Sequence, residues 1–333
     1  MEIRYPAYYE EFYCLAGACP DSCCKQWAVV VDDASALQYR QLPNALGDEL
    51  RRFLREEDGQ TVLSLRPDGR CPMWREDGLC RIQAELGEGS LCETCRQFPR
   101  LRHDYGDFVE LGLELSCPEA ARLILADRGQ AFVTRQVSGG EEPEYDAGAM
   151  AILLRTRAEI LAFLGREEYP VGTALAVLLL YGYAVQAELD GEDPAVLDPT
   201  ADLARAHQLA VKGSIEDILS FYKGLEILSA EWENRLGMPV GSQWSDALRA
   251  MARYFVQRYW LQAVSDYDIV GRVKLVVVSC LVVKALGGDV LQTAQQYSKE
   301  IENDADNVDA LLDAAYTAPE MADRGLLGLL LEV

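Results

Sequence analysis

The chain has very little histidine: 2 residues in 333, His103 and His207. Neither stands in a context typical of a catalytic base, so a nucleophile activated by histidine is disfavoured. We interpret His103 as a surface residue of a hairpin rather than as a metal ligand. A metal site in this chain would have to be built mainly from other side chains.

The sequence also lacks a long uninterrupted apolar run and a secretory start. Its most apolar stretch, 273–286, is interrupted by Lys274 and Lys284 and is shorter than the ~20 residues that a membrane span needs. Residues 1–14 carry acidic and aromatic side chains where a secretory signal has a basic start and an apolar stretch. We therefore expect a cytoplasmic protein with no membrane span.

Positive charge is scarce as well. The chain has 31 Lys and Arg against 54 Asp and Glu, which gives a formal net charge of −23. No basic stripe offsets this excess, so a nucleic-acid backbone is disfavoured as a partner. The charge suits a basic small molecule or a lysine-bearing polypeptide, but charge alone is better explained by an acidic surface that keeps the protein soluble.

Cysteine residues are concentrated in the first third of the sequence. Nine of the 10 cysteines lie within the first 117 residues. Structural disulfides are rare in a reducing cytoplasm, and a chain of this length can bury a core without them. The sequence therefore predicts a metal-binding module whose ligands are drawn from Cys14, Cys19, Cys23, Cys24, Cys71, Cys80, Cys92, Cys95 and Cys117. Cys280, inside an apolar helix, is expected to be buried.

The spacing of these cysteines leaves the metal open. Nine thiols exceed one tetrahedral site, and the adjacent Cys23 and Cys24 could serve two centres, or one of them could be structural. An all-sulfur ligand set suits both a zinc site and an iron–sulfur cluster. Prolines after Cys19, Cys71 and Cys117 are familiar beside cluster ligands, so we favour an iron–sulfur cluster and keep zinc as the alternative.

The overall pattern predicts a mainly α protein, with a Cys-rich α+β N-terminal metal-binding module packed on an all-helical C-terminal domain. We place the module at 1–137, a linker at 138–146 and the helical domain at 147–333. Within the module we predict a hairpin over 100–116, followed by a helix over 119–127. In the second half we predict a helix N-cap at Ser214 and helices over 171–189, 244–263, 268–286, 290–303 and 308–316.

The cysteine motifs resemble those of one known family. The segments are Tyr8-x3-Phe12-x-Cys14-x4-Cys19-x3-Cys23-Cys24-x2-Trp27 followed by Asp32, then Cys71-Pro72 to Asp77-Gly78-Leu79-Cys80-Arg81-Ile82, Leu91-Cys92-x2-Cys95-Arg96-x-Phe98-Pro99-Arg100, and Leu115-Ser116-Cys117-Pro118-Glu119-Ala120-Ala121-Arg122. Together they resemble the flagellin lysine-N-methylases, within the zinc- or iron-chelating proteins with a C-x2-C-x2-C-C signature. The resemblance covers roughly residues 1–125.

This resemblance implies a protein-lysine N-methyltransferase that transfers methyl groups from S-adenosylmethionine to lysine ε-amines of flagellin. The residues themselves leave a non-catalytic metal-binding or redox-sensing interaction protein as the alternative. No glycine-rich strand–helix turn for a nucleoside cofactor is present, and Cys19-x3-Cys23-Cys24 departs from the C-x3-C-x2-C triplet of radical enzymes. The sequence therefore names neither catalytic residues nor a donor pocket.

Methyl transfer would also require a lysine ammonium to lose its proton, which burial among aromatic side chains promotes. Aromatic residues near the first cysteines could line such a channel or simply pack the core of the module. They are Tyr5, Tyr8, Tyr9, Tyr13 and Trp27.

Overall fold

The computed structural model describes residues 1–27, 29–57, 59–129 and 131–333. These residues are mainly helical, as predicted, and they form two small sheets in the first part of the chain. The strands are β1 (Glu2–Pro6), β2 (Val29–Val30), β3 (Leu54–Glu57), β4 (Gln60–Leu63), β5 (Arg100–Asp104), β6 (Phe108–Leu113) and β7 (Phe132–Gln136).

Short helices connect these strands, and long helices follow them. The short ones are α1 (Asp33–Gln41), α2 (Ala45–Phe53), α3 (Arg81–Leu86), α4 (Glu93–Gln97) and α5 (Pro118–Ala126). The C-terminal half contributes α6 (Ala147–Leu164), α7 (Val171–Leu189), α8 (Pro199–Leu209), α9 (Ile215–Tyr222), α10 (Ala230–Gly237), α11 (Asp246–Tyr259), α12 (Ile269–Leu286), α13 (Val290–Ile301), α14 (Ala305–Thr317) and α15 (Asp323–Leu331).

The larger sheet has the strand order β5-β6-β1-β7. The predicted hairpin is confirmed: β5 and β6 are antiparallel, with Arg100 opposite Leu113 and Asp104 opposite Val109. Alternation of apolar and polar residues forms this hairpin because one face packs on the core, where Val109 and Leu113 are buried. β1 then joins β6 in parallel and β7 antiparallel, pairings between segments far apart in the chain.

The smaller sheet has the order β2-β4-β3 and lies with the first four helices around its own apolar core. We call this the small core. Two of the predicted ligands, Cys71 and Cys92, belong to it, and Cys24 and Cys80 pack against it. The small core consists of Val29, Val31, Ala36, Tyr39, Leu46, Leu50, Leu54, Leu63, Cys71, Met73, Ile82, Leu91 and Cys92.

A second, larger core is formed by the long helices together with β6 and α5. Helix α5, just after Cys117, packs against α11 and α13 and buries Ala120, Ala121 and Ile124. The predicted division at 138–146 stays a prediction. The packing groups α5 and Cys117 with the helical half, and it groups residues 29–92 separately.

Helix α7 begins and ends as predicted, and its length and hydropathy would also suit a membrane span, a possibility that the sequence analysis missed. In this fold 67% of that apolar window is buried inside the protein. The helix packs against α6, α8 and α12, which is the environment of a core helix that is apolar on all sides. The Ser214 cap is confirmed, since its hydroxyl accepts a hydrogen bond from the Asp217 N–H.

Candidate functional site

All ten cysteines are free thiols, and nine of them lie in the first 117 residues, at the small core or beside the larger one. Their exposure differs widely, from the buried Cys71, Cys92 and Cys117 to the exposed Cys14 and Cys95. The tenth, Cys280 on α12, is fully buried, as expected from its apolar helix.

Four thiols interact with one another beside the larger core, and we call them the front thiol group. They come from a loop at 14–23 and from the residue before α5: the thiols of Cys14 and Cys19 lie near each other, both lie near Cys117, and Cys23 lies near Cys14 and Cys117. Burial raises the pKa of the Cys117 thiol to about 11.

Five thiols interact at the small core, and we call them the rear thiol group: Cys24, Cys71, Cys80, Cys92 and Cys95. The Cys24 thiol accepts a hydrogen bond from Cys71, and Cys92 accepts one from Cys95. Cys80 lies near Cys24 and Cys92, and Cys95 also lies near Cys24 and Cys71. Three chain segments far apart in sequence thus bring their sulfur atoms together.

The adjacent residues Cys23 and Cys24 join the two groups. The Cys23 thiol donates a hydrogen bond to Cys24, so the pKa of Cys23 is raised and that of Cys24 is lowered. The second donor to Cys24 is Cys71, which lowers the pKa of Cys24 further. Both hydrogen bonds favour the thiolate form of Cys24, the form that attacks electrophiles and binds metals.

Three of the nine thiols occupy the N-cap position of a helix: Cys80 before α3, Cys92 before α4 and Cys117 before α5. None of these three sulfur atoms makes a cap hydrogen bond with its helix, although nearby backbone N–H groups favour the thiolate at each. Burial acts in the opposite direction and raises the pKa of Cys80 and Cys117.

Among the described residues, no three or more Cys, His, Asp or Glu side chains converge as a ready metal site. The structure brings the nine predicted ligands into two neighbouring groups, and their role as ligands stays a prediction. The chemistry of the donor set fits a thiophilic metal or cluster, because the nine neighbouring side chains are thiols, and the carboxylates beside them, Asp21 and Asp32, are engaged in hydrogen bonds or ion pairs of their own.

Asp21, which the sequence analysis missed, anchors the loop of the front thiol group to the helical half. Its carboxylate pairs with Lys25 at 2.6 Å and Lys299 at 3.2 Å, and it accepts a hydrogen bond from Gln295 at 2.9 Å. The same Gln295 amide donates to the Ser116 carbonyl, next to Cys117. Burial alone would raise the pKa of Asp21, but Lys25 and Lys299 bring it below the ordinary value.

Asp32 connects two helices beside the rear thiol group. It caps α1, accepting from the Ser35 N–H at 3.0 Å. Its second oxygen accepts from the Glu93 N–H at 2.9 Å, a contact that the sequence did not reveal. One carboxylate therefore fixes the first turn of α4 and with it the position of Cys92.

The aromatic residues proposed for a lysine channel are divided among different surroundings. Tyr5 and Tyr8 are buried, Tyr13 is 77% exposed, and Trp27 packs edge-on against Phe98. This distribution favours the packing interpretation of these side chains over a single channel.

Two cavities are notable in the described part of the chain. The first, about 30 Å³, is lined by Tyr8, His103, Tyr254 and Arg258 and has room for roughly one water. His103 is therefore half-buried rather than a surface residue; its Nε2 is buried and finds no partner among the described residues, and burial lowers its pKa. The second is an open cleft of about 450 Å³ beside Trp74, next to the rear thiol group.

The chain is similar to a flagellar biosynthetic protein and to two proteins named Lysine-N-methylase. It is 34% identical over 133 residues to the flagellar biosynthetic protein FliU of Salmonella muenchen, which is 38% of this chain and 79% of that protein. Its sequence identity to the Lysine-N-methylases of Salmonella typhimurium and Salmonella choleraesuis is also 34% over 133 residues. The match spans about a third of the length of those two proteins, 33% in each case.

No family model and no solved structure matches the chain. The coverage of FliU, together with the matching Lysine-N-methylases, confirms the resemblance that the cysteine motifs carried. The chain belongs to the flagellin lysine-N-methylase family.

Proposed function

We propose that this protein is a cytoplasmic protein-lysine N-methyltransferase that moves methyl groups from S-adenosylmethionine to lysine ε-amines of flagellin. The observation that carries the proposal is family membership, since two relatives are named Lysine-N-methylase and a third is a flagellar biosynthetic protein. The net charge of −23 agrees with a substrate that presents lysine side chains.

The reaction needs a neutral amine. A lysine ammonium, with an ordinary pKa of ~10.4, has no lone pair and first gives up one proton to a base or to water. The nitrogen lone pair then forms a bond to the methyl carbon while the carbon–sulfur bond breaks. Its electron pair returns to sulfur and leaves a neutral thioether. The methylated ammonium releases a further proton before another round.

We further propose that the nine clustered thiols hold metal in two centres. Cys14, Cys19, Cys23 and Cys117 form the pool for the first, and Cys24, Cys71, Cys80, Cys92 and Cys95 form the pool for the second. This assignment lets the adjacent Cys23 and Cys24 serve different centres. An iron–sulfur cluster is favoured over zinc; when bound, it would supply a cross-link between chain segments and, if redox-active, a reservoir for one electron.

The direct test of the activity is co-expression with flagellin, followed by mass spectrometry of the flagellin. A mass increase equal to one or more methyl groups on lysine supports the proposal, and unchanged flagellin contradicts it. The matched variants are Cys24→Ala, in the rear thiol group, and Cys280→Ala, which removes a buried thiol of helix α12 that belongs to neither group. Loss of methylation only in the first would tie activity to the clustered thiols.

The metal is tested separately on protein purified without oxygen. A brown solution with broad visible absorption and bound iron supports a cluster, whereas a colourless protein with stoichiometric zinc supports the alternative. Cys14→Ala and Cys95→Ala are the informative variants, because each belongs to one group and both side chains are exposed. Two independent centres predict that each variant loses only part of the metal.

A second candidate function is a non-catalytic metal-binding or redox-sensing protein. The observation that favours it is the contact between Cys92 and Cys95, a C-x2-C pair at the start of α4 in which Cys95 lowers the pKa of Cys92. Joining these sulfur atoms would release two protons and pass two electrons to a disulfide oxidant such as oxidised glutathione. Reversible loss of both thiols with unmethylated flagellin would favour this candidate.

A further inference from the structure

We propose that the cleft beside Trp74 binds the methyl donor, an amino acid linked through a sulfonium to a purine nucleoside. We call it the Trp74 cleft; its lining is Glu49, Arg66, Pro72, Met73, Trp74, Arg75, Glu76, Asp77 and Arg81. This inference rests on the proposed function, because it asks where a lysine methylase of this fold would hold its donor.

The usual location for a nucleoside cofactor is absent from the described residues. A doubly wound fold binds it where parallel strands diverge, but here β1 and β6 form the parallel pair of an otherwise antiparallel sheet. The cavity at His103, about 30 Å³, has room for roughly one water. The Trp74 cleft, about 450 Å³, has the size typical of small-molecule sites.

A short β-bridge and one helix build the cleft. Trp74 and Cys80 pair across an antiparallel bridge, and the Arg81 N–H donates to the Met73 carbonyl at 2.8 Å. Helix α2 supplies Glu49 at the opposite side. Because Met73 belongs to the small core, the segments on both sides of this β-bridge pack against buried side chains.

The lining carries both signs of charge in close alternation. Glu49 pairs with Arg66 at 3.1 Å and with Arg81 at 2.5 Å, and Arg75 pairs with Asp77 at 2.6 Å. These pairs are partly exposed, so they are weak and can exchange partners with a ligand. A ligand with one carboxylate, one ammonium and one sulfonium has the complementary arrangement, in which guanidinium groups bind the carboxylate and acidic groups face the two cations.

Trp74 provides a flat surface for a purine. Its indole is half-buried, and the Arg70 guanidinium lies over the ring at 4.7 Å from the ring centre. The indole Nε1 is buried and has no hydrogen-bond partner among the described residues. An aromatic ring with a cation over it is a common platform for stacking a base.

The position of the cleft relative to the thiols supports a functional role. Cys71 and Cys80, both in the rear thiol group, lie at the ends of the segment that carries Trp74. At the turn of this segment, Gly78 lies against Gly17 of the front loop, where an added Cβ on Gly17 would come within 2.9 Å of the Asp77 carbonyl. A donor bound here would contact the segment that links both thiol groups.

The test measures binding of S-adenosylhomocysteine, the demethylated product, to the full chain by equilibrium dialysis. Trp74→Leu and Glu49→Gln are each expected to weaken binding about tenfold, the effect of losing one stacked base or one charged contact. Trp244→Leu is the matched control, since this tryptophan contacts Lys284 in the helical half and should leave affinity unchanged. Thermal unfolding of each variant checks that it is folded.

A second measurement uses the unaltered protein and so does not depend on a variant's stability. An azido-purine analogue of the donor is cross-linked by light, and the labelled peptide is sequenced. Label within 66–81 or on the segment of α2 around Glu49 is expected, and label elsewhere overturns the proposal. If flagellin is methylated while both cleft variants bind S-adenosylhomocysteine normally, the donor binds elsewhere and the proposed function still holds. If the cleft binds but flagellin stays unmodified, the function fails. Absence of any binding contradicts both.

Discussion

Replacing Asp21 by asparagine tests whether the front thiol loop is held by charge. The change leaves Lys299, only 7% exposed, without the carboxylate that lies 3.2 Å away. A hydrogen bond to a charged group contributes ~1.5–3 kcal/mol, and an exposed pair such as Asp21 with Lys25 adds less than ~1 kcal/mol. Because Asp21 itself is 24% exposed, we expect the free energy of unfolding to fall by about 2–3 kcal/mol.

The assay is urea unfolding followed by circular dichroism at pH 7. The pKa of Asp21 is lowered in the folded state, so its stabilising effect is complete above the unfolded value and disappears as the pH falls through the folded one. The difference between wild type and Asp21→Asn should therefore be largest near neutral pH and shrink below about pH 4.

A double variant separates the two sources of the cost. If the main penalty is an unpaired buried ammonium, Asp21→Asn combined with Lys299→Met should be more stable than Asp21→Asn alone. A change of less than about 0.5 kcal/mol in the single variant would refute the reasoning, since that is the range of an ordinary surface substitution. Equal stability of the single and double variants would refute the assignment to Lys299.

Three further outcomes are expected. Glu110→Gln breaks a pair with Arg157 whose side chains are 7% and 8% exposed, and it should cost about 3–5 kcal/mol in urea unfolding, more than Glu110→Gln with Arg157→Met together. Asp32→Ala removes a cap shared by α1 and α4 and should cost about 1 kcal/mol, with faster amide exchange at Glu93; unchanged exchange would contradict the shared cap. If the thiols hold metal, a chelator should lower the thermal midpoint of protein purified without oxygen, whereas Cys280→Ala should not change the metal content.

The long helices were predictable because their signals are local. Residues 171–189 and 268–286 are apolar over a length that favours a buried helix, and Ser214, Asp32 and Asp268 supply caps through their own side chains. The β5–β6 hairpin was predictable for the same reason, since its strands are neighbours in the chain. Strands β1 and β7 were not predicted, because their partners lie more than a hundred residues away and short strands have weak patterns of their own.

By itself the sequence determined the number of thiols, their family motif, the predominance of helix and the scarcity of histidine, since each of these is a property of composition or of neighbouring residues. Only the tertiary structure decided which thiols become neighbours. It places the hydrogen-bonded Cys23 and Cys24 between the two thiol groups, brings Cys117 to Cys14, and ties Asp21 to Lys299 across 278 positions. The physical reason is that such contacts depend on how the two hydrophobic cores pack, and the spacing of residues along the chain does not specify that packing.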